Sequence, residues 1–204
     1  MVTKKLLAEQ VINLLNKGII NKDSNITIRQ AMAVVGEVRN RLIKQELWER
    51  YSNFGSFDVP ESILSEYTVE TEYNKERDFW FLTLPVGVLS LNHDLGIYNV
   101  STACDSAYPF IRLPSSFKSM YRDLPSSALE GRKGYIARGR ELRLQGVSEC
   151  VKVDLALVVD GVDLSPSEDF KFIAERQNEL IGMSVDILKY QIGMQDTNEN
   201  NNER

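Results

Sequence analysis

The spacing of apolar positions changes character twice along the chain, from a helical period to short alternating runs and back again. Leu6, Leu7, Val11, Leu14 and Leu15 recur at helical spacing over residues 4–17, and Gly18 follows where a C-terminal cap is expected. Thr27 and Gln30 have the spacing of a capping box, in which two side chains satisfy backbone N–H groups at a helix start. Beyond them Ile28, Met32, Val35, Val38 and Leu42 fall on one side, with Arg39, Arg41, Lys44 and Glu46 largely on the other. This predicts a long amphipathic helix from residue 28 to about 50. Gly36 inside it costs about 1 kcal/mol relative to Ala, so its presence implies that another backbone approaches there.

From Phe57 to Val162 the helical period fades. Strands are predicted at Tyr67–Tyr73, Phe79–Leu84, Ile97–Val100, Phe110–Leu113, Gly134–Ala137, Glu141–Leu144 and Val151–Val159, with a short helical turn over 115–122. Gly139-Arg140, between two of them, suits a tight hairpin. Pro85, Pro109, Pro114 and Pro125 sit where strand edges or loops tolerate a missing N–H. Ser165-Pro166-Ser167-Glu168 then has the form of a helix start, and Ile173, Leu180, Ile181, Val185, Leu188 and Ile192 follow as a helical stripe. Gln195–Arg204 is polar, Asn-rich and lacks a core-forming side chain, which predicts a disordered tail.

Each helical segment has only one apolar face and must bury it against a partner. The expectation is therefore an α+β chain: a helical bundle formed by the N-terminal helices and the C-terminal helix, with a β-rich middle segment inserted or packed against it. The boundaries read as a helical part over 1–54, a β-rich part over 55–163, a closing helix over 164–194 and a tail over 195–204. A β-barrel or sandwich decorated by helices is the alternative.

Composition narrows the function classes. The 204 residues carry a net charge of −5, which argues against general nucleic-acid binding. No apolar run approaches the roughly 20 residues that span a bilayer. Glu9 and Gln10 interrupt the N-terminal apolar stretch, so no secretion signal is expected. Cys104 and Cys150 lack metal spacing and read as two reduced thiols of a protein made in the cytoplasm, although spacing alone does not exclude a disulfide.

No pattern builds an active site. His93, the one histidine, stands beside Asp94 in Asn92-His93-Asp94-Leu95-Gly96, which reads as a polar turn rather than an acid/base pair. Gly131-Arg132-Lys133-Gly134 lacks the spacing of a phosphate loop. Ser115-Ser116 and Ser126-Ser127 follow prolines and read as turn or cap residues, since a serine nucleophile needs a base. No metal, cofactor or catalytic residue is expected. An enzyme would need two carboxylates converging in one cleft, as in a nuclease or glycosidase.

The one local charge feature is Arg132, Lys133, Arg138, Arg140 and Arg143, around the predicted hairpin. Its candidate uses are an inter-subunit contact, a phosphate contact or a nucleic-acid contact, weighed against a solvated hairpin paired to Glu130 or Glu141. Phe79-Trp80-Phe81, Tyr98 and Tyr108-Pro109-Phe110 concentrate aromatics in the β-rich part, as core or as interface anchors. Glu61, Glu66, Glu70, Glu72 and Glu76 mark a solvated strand or loop face.

The organisation as a whole resembles the small virion structural proteins of tailed phages that infect Bacteroidota, including the crAss-like phages. The resemblance rests on the first helix ending near Gly18, on Ser24-Asn25, and on Arg29-Gln30-Ala31 through Arg39-Asn40-Arg41-Leu42-Ile43-Lys44-Gln45-Glu46-Leu47. It continues through Leu84-Pro85, Leu91, Asp94 and Gly96-Ile97-Tyr98, then Val100-Ser101, the hairpin, the strand at Val151–Val159 and the Pro-led last helix with its Asn-rich tail. It covers most of the chain and carries no catalytic residue. Proteins of this size in that group are similar to head-to-tail connector or neck components. The resemblance implies a ring of copies of the chain, commonly twelvefold, below the portal protein and against adjacent neck or tail proteins. Genomic DNA would pass through its channel without specific binding. It also implies assembly in the host cytoplasm and residence in the virion, with another tail or minor capsid component as the alternative. A nucleic-acid-binding module using the hairpin at 132–143 is the reading from a different class.

Overall fold

The structure is a computed structural model that describes residues 2–16, 26–55, 58–92, 95–104, 109–113 and 133–202, the side chains of 193–202 excepted. The fold is α+β, with helices at both ends of the chain and two sheets between them. The chain divides into a helical unit, 1–63 with 159–204, and a sheet unit, 64–158, inserted between its two parts. The predicted β-rich part is thus trimmed at both ends: Val59, the 3-10 turn Glu61–Ile63 and residues 159–163 belong to the helical unit.

Three helices make the helical unit: α1 (Lys4–Leu15), α2 (Ile28–Phe54) and α3 (Gln177–Asn202). Thr3 caps α1 by accepting from the Leu6 N–H at 3.2 Å. At α2 the capping box forms in both directions, Gln30 N donating to Thr27 Oγ1 and Thr27 N to Gln30 Oε1. The helix ends at Gly55, whose φ of 67° is the left-handed cap that glycine supplies without strain. Leu7, Ala8 and Val11 of α1, Ala31, Val35, Val38, Leu42 and Ile43 of α2, and Leu180 and Leu188 of α3 form the core, and all three helices touch one another. Burying each such Leu contributes about 2 kcal/mol, which gives these one-faced helices a reason to associate.

Gly36 does meet another backbone. A Cβ built there would lie 2.6 Å from the carbonyl oxygen of Gly161, and one built on Gly161 would lie 2.7 Å from that of Gly36. Arg39, read from the sequence as lying on the polar side of α2, is instead fully buried. It stands three residues before Leu42, one helical turn along the core stripe, and the segment after Gly161 folds over it. Its Nε donates to Lys171 O at 2.7 Å, its Nη1 to Val159 O at 2.8 Å, and its guanidinium packs 5.3 Å from the Phe170 ring.

The closing helix starts later than predicted. Only half of the box forms: Ser165 N donates to Glu168 Oε2 at 3.1 Å, while Glu168 N donates to the Ser165 backbone carbonyl at 3.2 Å rather than to its hydroxyl, closing a single turn. The next residues run extended, Asp169 bridging to Thr3 and Phe170 N donating to Val2 O, while Phe170 and Ile173 become buried. Tertiary burial overrides the local helix signal there. After a 3-10 turn at Ala174–Arg176, α3 runs to Asn202, through most of the segment predicted as a disordered tail. A nucleated helix propagates at little cost even without an apolar stripe.

The sheet unit holds a three-stranded antiparallel sheet in the order β1 (Ser65–Glu70), β8 (Lys152–Leu157), β4 (Ile97–Thr102). A five-stranded sheet has the order β2 (Glu72–Asn74), β3 (Phe79–Thr83), β7 (Glu141–Gln145), β6 (Gly134–Arg138), β5 (Ile111–Arg112), with β5 parallel to β6. The single strand predicted at Tyr67–Tyr73 is split between the two sheets by Thr71. That residue is buried, donates its N–H to Val151 O and accepts from Val151 N through Oγ1. Strict alternation places Val153, Leu155 and Leu157 of β8 inside, as the sequence pattern predicts.

Candidate interaction site

The β6–β7 hairpin forms where Gly139-Arg140 predicts it, with Arg138 paired to Glu141 and Gly139 at a φ of 58°. A positive φ in the first turn position alone fits a type II′ turn, which requires glycine there. Four of the five cations of this region lie among the described residues, and their surroundings differ. Arg143 is inward-leaning: its Nε meets Glu141 Oε1 at 2.5 Å and its guanidinium stacks 4.5 Å from the Phe79 ring. Lys133 lies 5.9 Å from the Phe110 ring. Arg138 and Arg140 are exposed at the hairpin tip, and Arg138 makes no ion pair among the described residues. Arg132 lies outside the described residues, with Gly131, His93, Asp94, Tyr108, Gly18, Ser24-Asn25, the 115–122 turn and both serine pairs. Two of the five candidate residues, Arg138 and Arg140, therefore stand together at the exposed hairpin tip.

A second feature is one the sequence reading passed over. Trp48, Tyr51 and Phe54, in the last two turns of α2, are 58%, 39% and 78% exposed. Trp48 and Tyr51 pack ring to ring at 6.0 Å. At about 100° per residue, these three positions fall on the side of α2 away from Leu42 and Val35. The signal was present in the sequence as aromatics out of phase with the core stripe. Beside them the side chains are tied down: Arg176, at the start of α3, pairs with Glu46 at 3.0 Å and with Glu49. The Glu49 carboxyl is held below its usual range, first by a hydrogen bond from Gln45 and then by Arg176.

Buried cations define the inside of the same unit. Burial drives the Arg39 guanidinium down to about 10, against the opposing pull of Asp160, and its Nη2 is buried without a hydrogen-bond partner among the described residues. Lys4 is likewise lowered by burial, opposed by Asp160 and Asp163, and its Nζ donates to Val162 O at 2.8 Å. Asn40 Oδ1 accepts from Gly161 N and its Nδ2 donates to Asp160 Oδ1, both at 2.8 Å. These groups fasten the 159–171 segment to α1 and α2; they close a fold rather than open a cleft.

Cys104 and Cys150 are both free and exposed. Glu66, Glu70, Glu72 and Glu76 are exposed, as expected of a solvated face. Among the described residues no helix is long and apolar enough to cross a membrane. No protein-family model and no curated protein matches the chain.

Proposed function

We propose that the chain is a non-enzymatic structural protein that works by assembling with copies of itself and with other proteins. More particularly, it is a subunit of a ring in the head-to-tail connector of a tailed phage, placed below the portal and joining capsid to tail around the DNA channel. The observation that carries the associative part is the exposed aromatic stripe of α2. Trp48, Tyr51 and Phe54 together leave roughly 400 Å² facing solvent, about half of what one partner contributes to a standard interface. Trp and Tyr are also the residue types that dominate binding energy where interfaces are measured. The ring and its place in the virion rest on the sequence resemblance. A closed ring joins two different patches on each subunit, so the stripe needs a non-identical counterpart on the next copy. The net charge of −5 suits a channel that lets DNA pass without holding it.

Native mass spectrometry of the full chain, alone and mixed with a candidate portal ring, tests this. A closed high-order oligomer, or a fixed number of copies loading onto the portal, supports the reading. Trp48→Ala and Phe54→Ala should then shift the population toward monomer while leaving the helical circular dichroism unchanged. A strict monomer under both conditions refutes it.

A further inference from the structure

At one end of the five-stranded sheet, the β2–β3 turn and the residues following β7 enclose an open groove lined by Tyr73, Asp78, Trp80, Leu144 and Ser148. Its floor is set by strand register. Tyr73 of β2 lies opposite Trp80 of β3, and their rings meet at 5.2 Å with planes tilted by 46°. Tyr73 is 43% exposed, so a ring face remains open to solvent. The turn holds one rim: Asp78, at a φ of 55°, donates its N–H to Asn74 O and accepts the Tyr73 hydroxyl at 2.5 Å. Gly146, at a φ of 76°, turns the chain after β7 and brings Ser148 to the other rim.

We infer that this groove binds a neutral saccharide, the sugar ring lying on the Tyr73–Trp80 pair. An aromatic ring presents an apolar, electron-rich face, and the C–H face of a pyranose is its natural complement. Around that platform several polar groups are unspent: the Trp80 indole N–H and the Ser148 hydroxyl make no hydrogen bond among the described residues, and the second oxygen of Asp78 has none. An apolar floor with a few converging donors and acceptors is the general form of a small-ligand site. A ligand that offers both an apolar face and several hydroxyls uses all of it. A proline-rich peptide would use the rings and leave most of the polar rim unpaired. The Asp78 carboxylate disfavours an acidic sugar at that rim. The groove lies within the sheet unit, and the inference does not depend on the connector reading.

The experiment is saturation-transfer NMR on the full chain with four neutral tetrasaccharides, built from α-glucose, β-glucose, mannose and N-acetylglucosamine, and with a decaproline peptide for contrast. The expected result is saturable binding of at least one sugar with a Kd of about 1 mM or tighter, weakened about tenfold or more by Tyr73→Ala and by Ser148→Ala. Trp80→Ala should abolish it; because that change risks the fold, Tyr73→Ala and Ser148→Ala, checked by circular dichroism, carry the test. Silence from all four sugars at about 10 mM overturns the inference, as does binding indifferent to both of these variants. Binding of decaproline with the sugars silent overturns it too.

Discussion

Replacing Gly36 by Ala sets two physical effects against each other at one atom. Gly36 sits inside α2, where the exchange should stabilise by about 1 kcal/mol through helix propensity alone. The added Cβ, however, meets Gly161 O at 2.6 Å, Gly161 C at 2.8 Å and Val162 N at 3.0 Å, all backbone atoms that no rotamer change can withdraw. Either α2 or the 160–162 segment must shift. That segment carries the Gly161 N–H that Asn40 holds at 2.8 Å and follows directly on the Val159 carbonyl that Arg39 holds at 2.8 Å, so a shift loosens bonds around a buried charge. Overpacking costs about 1–3 kcal/mol and a weakened hydrogen bond to a charged group about 1.5–3 kcal/mol. Less the propensity gain, the net is a loss of about 1.5–5 kcal/mol.

Urea unfolding followed by circular dichroism at the helical band reports on α1, α2 and α3. The expectation is a lowered midpoint at an unchanged slope, and a melting temperature lowered by about 5–15 °C. Gly182→Ala is the control. Gly182 lies in α3 with nothing within 4 Å of a built Cβ, so there propensity acts alone and should raise stability by about 1 kcal/mol. If Gly36→Ala is as stable as the parent, or gains as Gly182→Ala does, the close backbone approach is absent and the reasoning fails.

Arg176→Ala removes a side chain that is 17% exposed and shared among Glu46, Glu49 and Glu179; it should cost about 1–2 kcal/mol in urea unfolding, and less at high salt. Gly139→Ala meets no neighbour within 4 Å but must hold a φ of 58°, so thermal unfolding should show a pure backbone penalty of about 1–2 kcal/mol. The Tyr135 hydroxyl is raised from 10.0, chiefly by burial and against the opposing pull of Arg112. Its contribution is complete below pH 10 and is lost as pH rises through the folded-state value, so the stability advantage of the parent over Tyr135→Phe should shrink in denaturation series above pH 10.

What the sequence conveyed well was local or periodic. The Thr27–Gln30 box, the hairpin at Gly139 and the alternation of Val153, Leu155 and Leu157 each depend on neighbours a few residues away. Gly36 was legible for a different reason: a costly residue in a helix implies a contact that repays it. What failed was decided at long range. The box at Ser165 has the right residues, yet burying Phe170 and Ile173 beside the start of α1 outweighs another two turns of helix. Arg39 reads as surface because it is charged, and it is the carbonyls of Val159 and Lys171, more than a hundred residues away, together with the charge of Asp160, that make its burial tolerable. The basic cluster illustrates the same limit. Closeness along β6 and β7 does not give the cations one role: Arg143 is held by Glu141 and Phe79, while Arg138 and Arg140 stand exposed at the turn.

The two exposed features, the aromatic stripe of α2 and the cationic hairpin tip, imply opposite responses to salt, and this separates their candidate roles. Apolar contacts made by Trp48, Tyr51 and Phe54 do not weaken with ionic strength. Contacts made by Arg138 and Arg140 with acidic partners do, since the screening length falls from about 10 Å at 0.1 M salt to about 3 Å at 1 M. Sedimentation velocity of the full chain at both salt concentrations therefore reads out which feature holds copies together. An assembly that persists at about 1 M salt and is lost in Phe54→Ala places the contact on the stripe, where 78% of that side chain otherwise faces water. An assembly that dissolves with salt and is lost in Arg138→Ala places it at the hairpin tip, and the aromatic argument for self-association then fails.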